Sequence, residues 1–501
     1  MIAKVLSAAV IGLEAEIIEV EADVSNGLPA TIVVGLPDTA VQESRERVKT
    51  AIKNSDCQYP ATRVSVNLAP ADVPKLGTQF DLPIALAILL ASEQLSFPAS
   101  GKMFLGELSL DGNLRPVPGA LAAALKAQAR GIRQLFVPQQ NAQEAALVRG
   151  LEVYAVADLR GLLGHLLGMK LLMPEAYLDP KTVLQNFLPS LDMKDVAGQE
   201  LAKRALEIAA AGGHNILLSG PPGSGKTLLA RAMAGILPDL SLEEALELTK
   251  IYSIAGKLTG HFVTSRPVRS PHHTTSNVAL VGGGANPKPG EITLAHRGIL
   301  FLDEFPEFPR NVLEALRQPL EDGVVTVARA SGSFTFPAKF ALVAAQNPCP
   351  CGFFGDKTKQ CLCSPGQVFK YQKKVSGPLL DRIDLHVEVP RLAYEKMTAS
   401  GEAENSQSIK IRVGRARECQ RQRFGGARTN SEMNLVELKT YCTLSEDGQQ
   451  VMRQAMKQYN FSGRSLHRIL KVSRTIADLD QAEFITIKHL GEAIQYRPKT
   501  E

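Results

Sequence analysis

Short bursts of apolar residues, separated by polar turns, set the pattern of the first third of the chain. ATIVVGL (30–36) and the strict alternation Arg63-Val-Ser-Val-Asn-Leu68 predict strands. LPIALAILLAS (82–92) and LAAALKAQARG (121–131) predict helices, the second running into the strand QLFVP. Residues 1–170 therefore form an α+β or α/β domain. Residues 171–195 carry three prolines and scattered acids between periodic segments and read as a linker. From 196 to 390 a helix, an apolar strand, a Gly-rich loop, another helix and two further apolar strands follow, the alternation of a parallel sheet with helices on its faces. Residues 391–501 are rich in Arg, Gln, Glu, Leu and Ala at helical spacing and predict a helical domain.

The most specific chemistry sits where the strand Asn215-Ile-Leu-Leu-Ser219 enters Gly220, Pro221, Pro222, Gly223, Ser224, Gly225, Lys226 and Thr227 and then a helix. This is a phosphate loop in its required strand–loop–helix context. The glycines let successive N–H groups face phosphates, Lys226 supplies a cation to the β/γ oxygens and Thr227 offers its hydroxyl to Mg²⁺. A second apolar strand, Gly298-Ile-Leu-Phe-Leu302, ends in Asp303 and Glu304 at the sheet edge where ligands bind. Asp303 would hold the Mg²⁺ shell and Glu304 would orient the attacking water.

With these motifs, LFLDEF, KFALVAAQNP (339–348) and SGPLLDRIDLHVEVP (376–390) resemble an AAA+ ATPase of the magnesium-chelatase and MCM-helicase clade, in which a helix-2 insert and a pre-sensor-1 hairpin elaborate the core. The resemblance implies that Asn347 is the polar sensor and Arg382 the arginine finger presented to a neighbouring subunit's ATP; a salt bridge to Asp381 or Asp384 is the plainer alternative for Arg382. Ser462-Gly-Arg464 would supply the sensor arginine of a helical lid. Gly323 to Phe336 alternates on both sides of a Ser-Gly turn and is similar to the hairpin such helicases project into a central pore, with Arg329 at the DNA-tracking position. Val281 to Gly290 is a second Gly cluster without a following Lys-Ser/Thr, so it reads as the turn of an inserted hairpin, with Lys288 as a DNA-contact candidate. His272 and His273 lack an obvious third metal ligand and read as loop hydrogen-bonding residues.

PKLGTQFDLP (74–83) and the stretch 106–138 resemble the proteolytic domain of the Lon family. The Ser–Lys dyad of that family falls here on Gln79 and Leu121, neither of which can do the chemistry, so the resemblance implies an inactive Lon-like scaffold. The order of Lon-like domain, chelatase-type core and helical lid resembles the YifB/ComM family over nearly the whole chain. That implies a hexameric, ATP-driven DNA helicase acting on single-stranded and branched DNA in its pore, promoting branch migration in natural transformation, with a recombinase filament as a partner. A protein remodeller and a chelatase motor are the alternatives; against the second, chelatase motor subunits are expected to lack a counterpart of the first 170 residues.

Composition refines this picture in three places. Seven Cys is sparse for 501 residues, yet Cys349, Cys351, Cys361 and Cys363 fall within fifteen, and two CxC pairs flanking a turn can bring four thiolates to one structural Zn²⁺. The net charge of +5 is small, but residues 410–428 hold seven Lys or Arg against Glu418 alone, a local +6 that suits a phosphate backbone, an acidic subunit surface or a solvated helix face. Acids at positions 14, 16 and 19 interrupt the N-terminal apolar stretch and no window is long and apolar enough to span a bilayer, so a soluble cytoplasmic protein without a membrane partner is expected.

Overall fold

The computed structural model describes residues 2–183, 191–284, 287–329, 332–356, 358–392 and 404–498, with the backbone alone at 183, 329 and 332. The chain groups into two compact units, Met1–Gln185 with Ser241–Thr264 and Gly284–Lys288, and the remainder.

The first unit is built on a seven-stranded sheet in the order Ala30–Val34, Arg63–Ala69, Glu14–Ser25, Ile2–Ile11, Lys102–Phe104, Gln134–Pro138, Glu152–Val156. The strands expected at 30–36 and 63–68 and the helices expected at 82–92 and 121–131 are present as Ala30–Val34, Arg63–Ala69, Asp81–Ala91 and Ala120–Ala129. The N-terminal stretch forms a long antiparallel hairpin, from Ile2 opposite Asp23 to Ile11 opposite Glu14. Its acids sit on the solvent side of an alternating strand, and Lys4 reaches across to Glu21 at 2.7 Å and Glu19 at 3.6 Å. Gln79 donates to the Leu76 carbonyl at 2.8 Å and Leu121 is fully buried, so both positions serve packing.

One helix of this unit comes from far along the chain. Leu242–Ile254 starts at a capping box between Ser241 and Glu244 and buries Ala245, Leu248, Ile251 and Ile254, a stripe at helical spacing. It packs on Ala120–Ala129. The Ser253 hydroxyl accepts from the Gly119 amide at 3.1 Å, and Lys250 pairs with Glu14 at 2.6 Å. Gly119 is left-handed (φ 80°) and a Cβ there would meet Val10 at 2.6 Å and Ile254 at 3.5 Å, so the close approach needs glycine. By sequence this helix lies inside the ATPase segment; its apolar stripe gives it to the N-terminal unit.

The second unit holds a five-stranded, all-parallel sheet in the order Val268–Arg269, Ile299–Leu302, Ala341–Gln346, Ile216–Ser219, Leu385–Glu388. Its inner strands are almost continuously apolar, as burial on both faces demands. The C-terminal helices share its core. Ile409 and Val413 of Ser406–Phe424, and Ile469, Val472 and Ile476 of Gly463–Leu479, belong to the same cluster as Ile216, Leu218 and Leu385.

The basic run 410–428 is largely neutralised from within. Arg412 binds Glu207 and Glu404, Arg423 forks onto Asp478 at 2.6 and 2.8 Å, Arg428 binds Glu437 and Lys410 binds Asp239. Arg417 caps the Ala210 carbonyl. Most of the local +6 therefore joins helices together. The hairpin expected at 323–336 is present, Val324–Arg329 antiparallel to Gly332–Pro337, with Val325, Val327 and Phe336 buried. The Arg329 side chain and residues 330–331 lie outside the described residues, as do residues 184–190 of the expected linker and 393–403 at the start of the expected lid. Among the described residues no helix is long and apolar enough to cross a membrane.

Candidate functional site at the carboxyl edge of the parallel sheet

Register brings the site together. Ser219 pairs with Gln346 and Leu302 with Ala344, so the residues that follow, Gly220, Asp303 and Asn347, leave three neighbouring strands at one edge. The Gly220 amide donates to the Gln346 carbonyl at 3.2 Å, and a Cβ on Gly220 would come within 2.1 Å of the Val389 carbonyl oxygen. Gly223 (φ 74°) and Gly225 (φ 92°) turn the loop through left-handed backbone, and Lys226 begins the next helix.

Lys226 is buried, and its ammonium donates to Gly220 O at 2.8 Å, Pro221 O at 2.9 Å and Asn347 Oδ1 at 3.3 Å. Burial lowers its pKa, and the Asp303 carboxylate opposes that shift. The Thr227 hydroxyl donates to Asp303 Oδ2 at 2.8 Å, and the other Asp303 oxygen accepts from the Glu304 amide at 2.9 Å. Ser224 Oγ is buried and has no hydrogen-bond partner among the described residues. A buried cation resting on neutral carbonyls, an unsatisfied hydroxyl and a hydroxyl–carboxylate pair fit a phosphate ester with a divalent cation: oxygens from the ligand would replace the loop carbonyls on Lys226 and satisfy Ser224.

Glu304 has a partner the sequence reading missed. It sits in left-handed backbone (φ 51°), with its carboxylate half exposed and 3.1 Å from His273 Nδ1. His272 does bond within its loop, to Thr274 Oγ1 at 2.9 Å, and its ring lies 4.1 Å from that of His273. The signal was available in topology. Val268–Arg269 pairs in parallel with Ile299 and Leu300, so the loop after it emerges beside Asp303 and Glu304.

Two arginines singled out from the sequence lie elsewhere. Asp384 and Leu385 amides donate to the Asn215 carbonyl, both at 3.0 Å, which places Arg382 beyond the amino ends of strands whose carboxyl ends carry the loop. Five residues of strand, at about 3.3 Å each, separate Asn215 from Gly220 by roughly 17 Å. Arg382 is itself buried, donating to Pro378 O at 2.8 Å and to Glu321; neither Asp381 nor Asp384 is its partner. Arg464 is exposed and lies 3.6 Å from the same Glu321, while Arg468, one turn on, donates to the Arg382 carbonyl and to Asp384. The guanidiniums at 382 and 464 thus converge on one carboxylate at the opposite end of the sheet from Lys226, and Arg382 in particular is out of reach of its own phosphate loop. Lys288 is exposed, and neighbouring residues 285–286 lie outside the described residues.

Cys349, Cys351, Cys361 and Cys363 do meet. Their sulfurs lie within 4.8 Å of one another, with Cys349 Sγ 3.4 Å from Cys351 Sγ and 3.7 Å from Cys361 Sγ. The Phe354 amide donates to Cys349 Sγ at 3.3 Å, and amides of Phe353 and Leu362 pull the Cys351 thiol down to about 6. Four soft donors around one point suit a tetrahedral Zn²⁺.

Comparison with known proteins finds matches along much of the chain. A family model described as "Magnesium chelatase, subunit ChlI" matches residues 192–397, and one described as its C-terminal part matches 403–497. A third, described as "Subunit ChlI of Mg-chelatase", matches residues 20–141, which corrects the expectation that the first 170 residues have no chelatase counterpart. The chain is 44% identical over 501 residues to the competence protein ComM of Haemophilus influenzae, covering 99% of this chain and 97% of that protein. It is 44% identical over 502 residues to the protein YifB of Escherichia coli, covering 98% and 96%. Likeness to the magnesium-chelatase 67 kDa subunit of Chlorobaculum tepidum is 29% over 160 residues, 31% of this chain and 23% of that one.

Proposed function

The chain belongs to the YifB/ComM family, with magnesium-chelatase-like AAA+ parts, and from that premise we propose that it is an ATP-driven DNA helicase that works as a cytoplasmic homo-hexamer and promotes branch migration of incoming DNA. The observation that carries the reading is 44% identity to a competence protein in an alignment that covers 99% of the chain. Pairwise likeness to the magnesium-chelatase 67 kDa subunit of Chlorobaculum tepidum covers 31% of it, while the family models described by chelatase subunit ChlI match residues 20–141, 192–397 and 403–497. The pore hairpin of the chelatase and MCM clade, with Arg329 at its last strand position, supports DNA as the track, and a recombinase filament is the partner such a task calls for.

In this reading Lys226 releases the carbonyls of Gly220 and Pro221 to meet the β/γ phosphates, and Thr227 and Asp303 hold the Mg²⁺ shell. Mg²⁺ bound there would neutralise charge on the phosphate oxygens. Asn347 stays on the Lys226 side as polar sensor, and Glu304 turns from His273 to orient water. Arg382 and Arg464 serve a neighbour's ATP, since their end of the sheet faces away from their own loop. The four cysteines hold one structural Zn²⁺. The Lon-like unit, without a nucleophile at Gln79 or a base at Leu121, serves assembly.

The test is ATP turnover with and without branched DNA, together with ATP-dependent unwinding of that DNA. Arg329→Ala is expected to keep basal turnover and lose stimulation by DNA; equal stimulation would remove the hairpin from the mechanism. Should DNA neither bind nor stimulate, a protein remodeller becomes the better reading. His273→Ala removes the imidazole that lies 3.1 Å from the Glu304 carboxylate, and is expected to raise DNA-independent kcat about fivefold, roughly 1 kcal/mol, with KM for ATP unchanged. Unchanged or lower basal kcat would mean that His273 does not restrain Glu304.

A further inference from the structure

The cysteine cluster is built onto the phosphate loop. Cys349 follows Asn347 by two residues, and Asn347 is the side chain that accepts from Lys226 at 3.3 Å. The Gly352 amide closes a turn onto the Cys349 carbonyl at 2.9 Å. Gly352 is left-handed (φ 82°), and a Cβ on it would come within 2.5 Å of Pro222 Cδ and 3.8 Å of Asn347 Cγ. Arg391 adds a further tie: its guanidinium lies 3.5 Å from the Pro222 carbonyl and 5.8 Å from the Phe353 ring. Residues 347–353 therefore touch the loop at its cation and at its proline corner.

What holds this turn in place is not apolar burial. Phe354 is half exposed and Leu362 is 86% exposed, so the excursion 349–363 has little core of its own beyond Cys349. Its two ends carry the sulfurs, Cys349 and Cys351 at the start and Cys361 and Cys363 at the close. A metal that ties Cys361 and Cys363 to Cys349 and Cys351 fixes the turn that abuts Pro222, because metal binding in such a segment is folding of that segment.

We propose that the tetrathiolate centre is a clamp on the nucleotide site: Zn²⁺ bound by Cys349, Cys351, Cys361 and Cys363 keeps Gly352 against Pro222 and Asn347 against Lys226, so that nucleotide affinity depends on the metal. The proposal rests on the reading of Gly220–Thr227 as the ATP site.

The experiment pairs elemental analysis of the full-length protein with the affinity for a fluorescent ADP analogue in excess Mg²⁺. It compares zinc-loaded wild type, wild type stripped by a zinc-selective chelator and then reloaded, and the double variant Cys361→Ser, Cys363→Ser, whose substitutions lie on the arm away from the loop. Loaded wild type should hold about one zinc per chain. Stripping and the double variant should each remove the metal and weaken nucleotide binding at least about tenfold, and reloading should restore wild type alone. Stripped protein that binds within twofold of the loaded form, or wild type that never carries zinc, overturns the clamp. If the double variant fails to fold, the strip-and-reload arm decides by itself. Lys226→Ala separates the two readings: it should lose nucleotide and keep zinc, whereas zinc-loaded wild type that binds no nucleotide would sink the ATP site and the clamp with it.

Discussion

Lys226→Ala is expected to abolish measurable ATP turnover, a loss of at least about a hundredfold, the scale seen when one preorganised donor to developing charge is removed. Its ammonium is buried on three oxygens, Gly220 O, Pro221 O and Asn347 Oδ1, within the curl of the loop. The substitution also leaves those acceptors without their donor, and a modest drop in melting temperature should accompany it. Lys226→Arg is the useful companion. A guanidinium keeps the charge but not the compact ammonium that the curled loop encloses, so it should recover stability more than turnover. Turnover within a few-fold of wild type in Lys226→Ala would exclude this loop as the hydrolytic site.

Arg382→Ala should lower ATP turnover by about a thousandfold, the low end for an arginine supplied in trans, while leaving nucleotide affinity near wild type. The geometry gives this prediction a sharper form. Because Arg382 lies at the amino end of the strands whose carboxyl ends carry Lys226, in the proposed hexamer it would complete a neighbour's loop and not its own. Mixing Arg382→Ala with Lys226→Ala should then revive activity that neither has alone. In randomly assembled rings with independent interfaces, about a quarter of the interfaces regain both groups, so an equal mixture should recover roughly a quarter of wild-type turnover. A loss caused merely by breaking the Arg382–Glu321 contact would not be complemented, and a silent mixture of stably assembled variants would place the arginine outside the reaction.

Much of the site was legible in the sequence, for reasons that differ by residue. The phosphate loop declares itself because its glycines and Lys226 are adjacent along the chain and their spacing is dictated by the phosphate they surround. Asp303 follows from a strand whose apolar run ends in acids, and Asn347 from the resemblance of KFALVAAQNP to the family's strand. His273 was missed because its meeting with Glu304 depends on which strands lie side by side, and the short strand Val268–Arg269 gives no periodicity to read. The cysteine cluster is legible as a ligand set, but its abutment on Pro222 is not, since a sequence shows Gly352 without showing which residue its missing Cβ makes room for. The basic run 410–428 misled in the opposite sense. Summed charge says nothing of partners such as Glu207, Glu437 and Asp478, which come from other helices. The helix Leu242–Ile254 was placed by chain order with the ATPase, whereas its buried stripe decides where it packs.

That helix makes the two units inseparable as inherited parts. A gene fragment that begins after the N-terminal unit would encode an ATPase with Ala245, Leu248, Ile251 and Ile254 stripped of their covering surface, and the complementary fragment would lack the helix that its Ala120–Ala129 face and Gly119 are shaped to receive. Shuffling at the apparent boundary near residue 185 would therefore leave an apolar scar on both products. An N-terminal unit borrowed from a relative is expected to need its own version of residues 241–264 to keep that stripe covered.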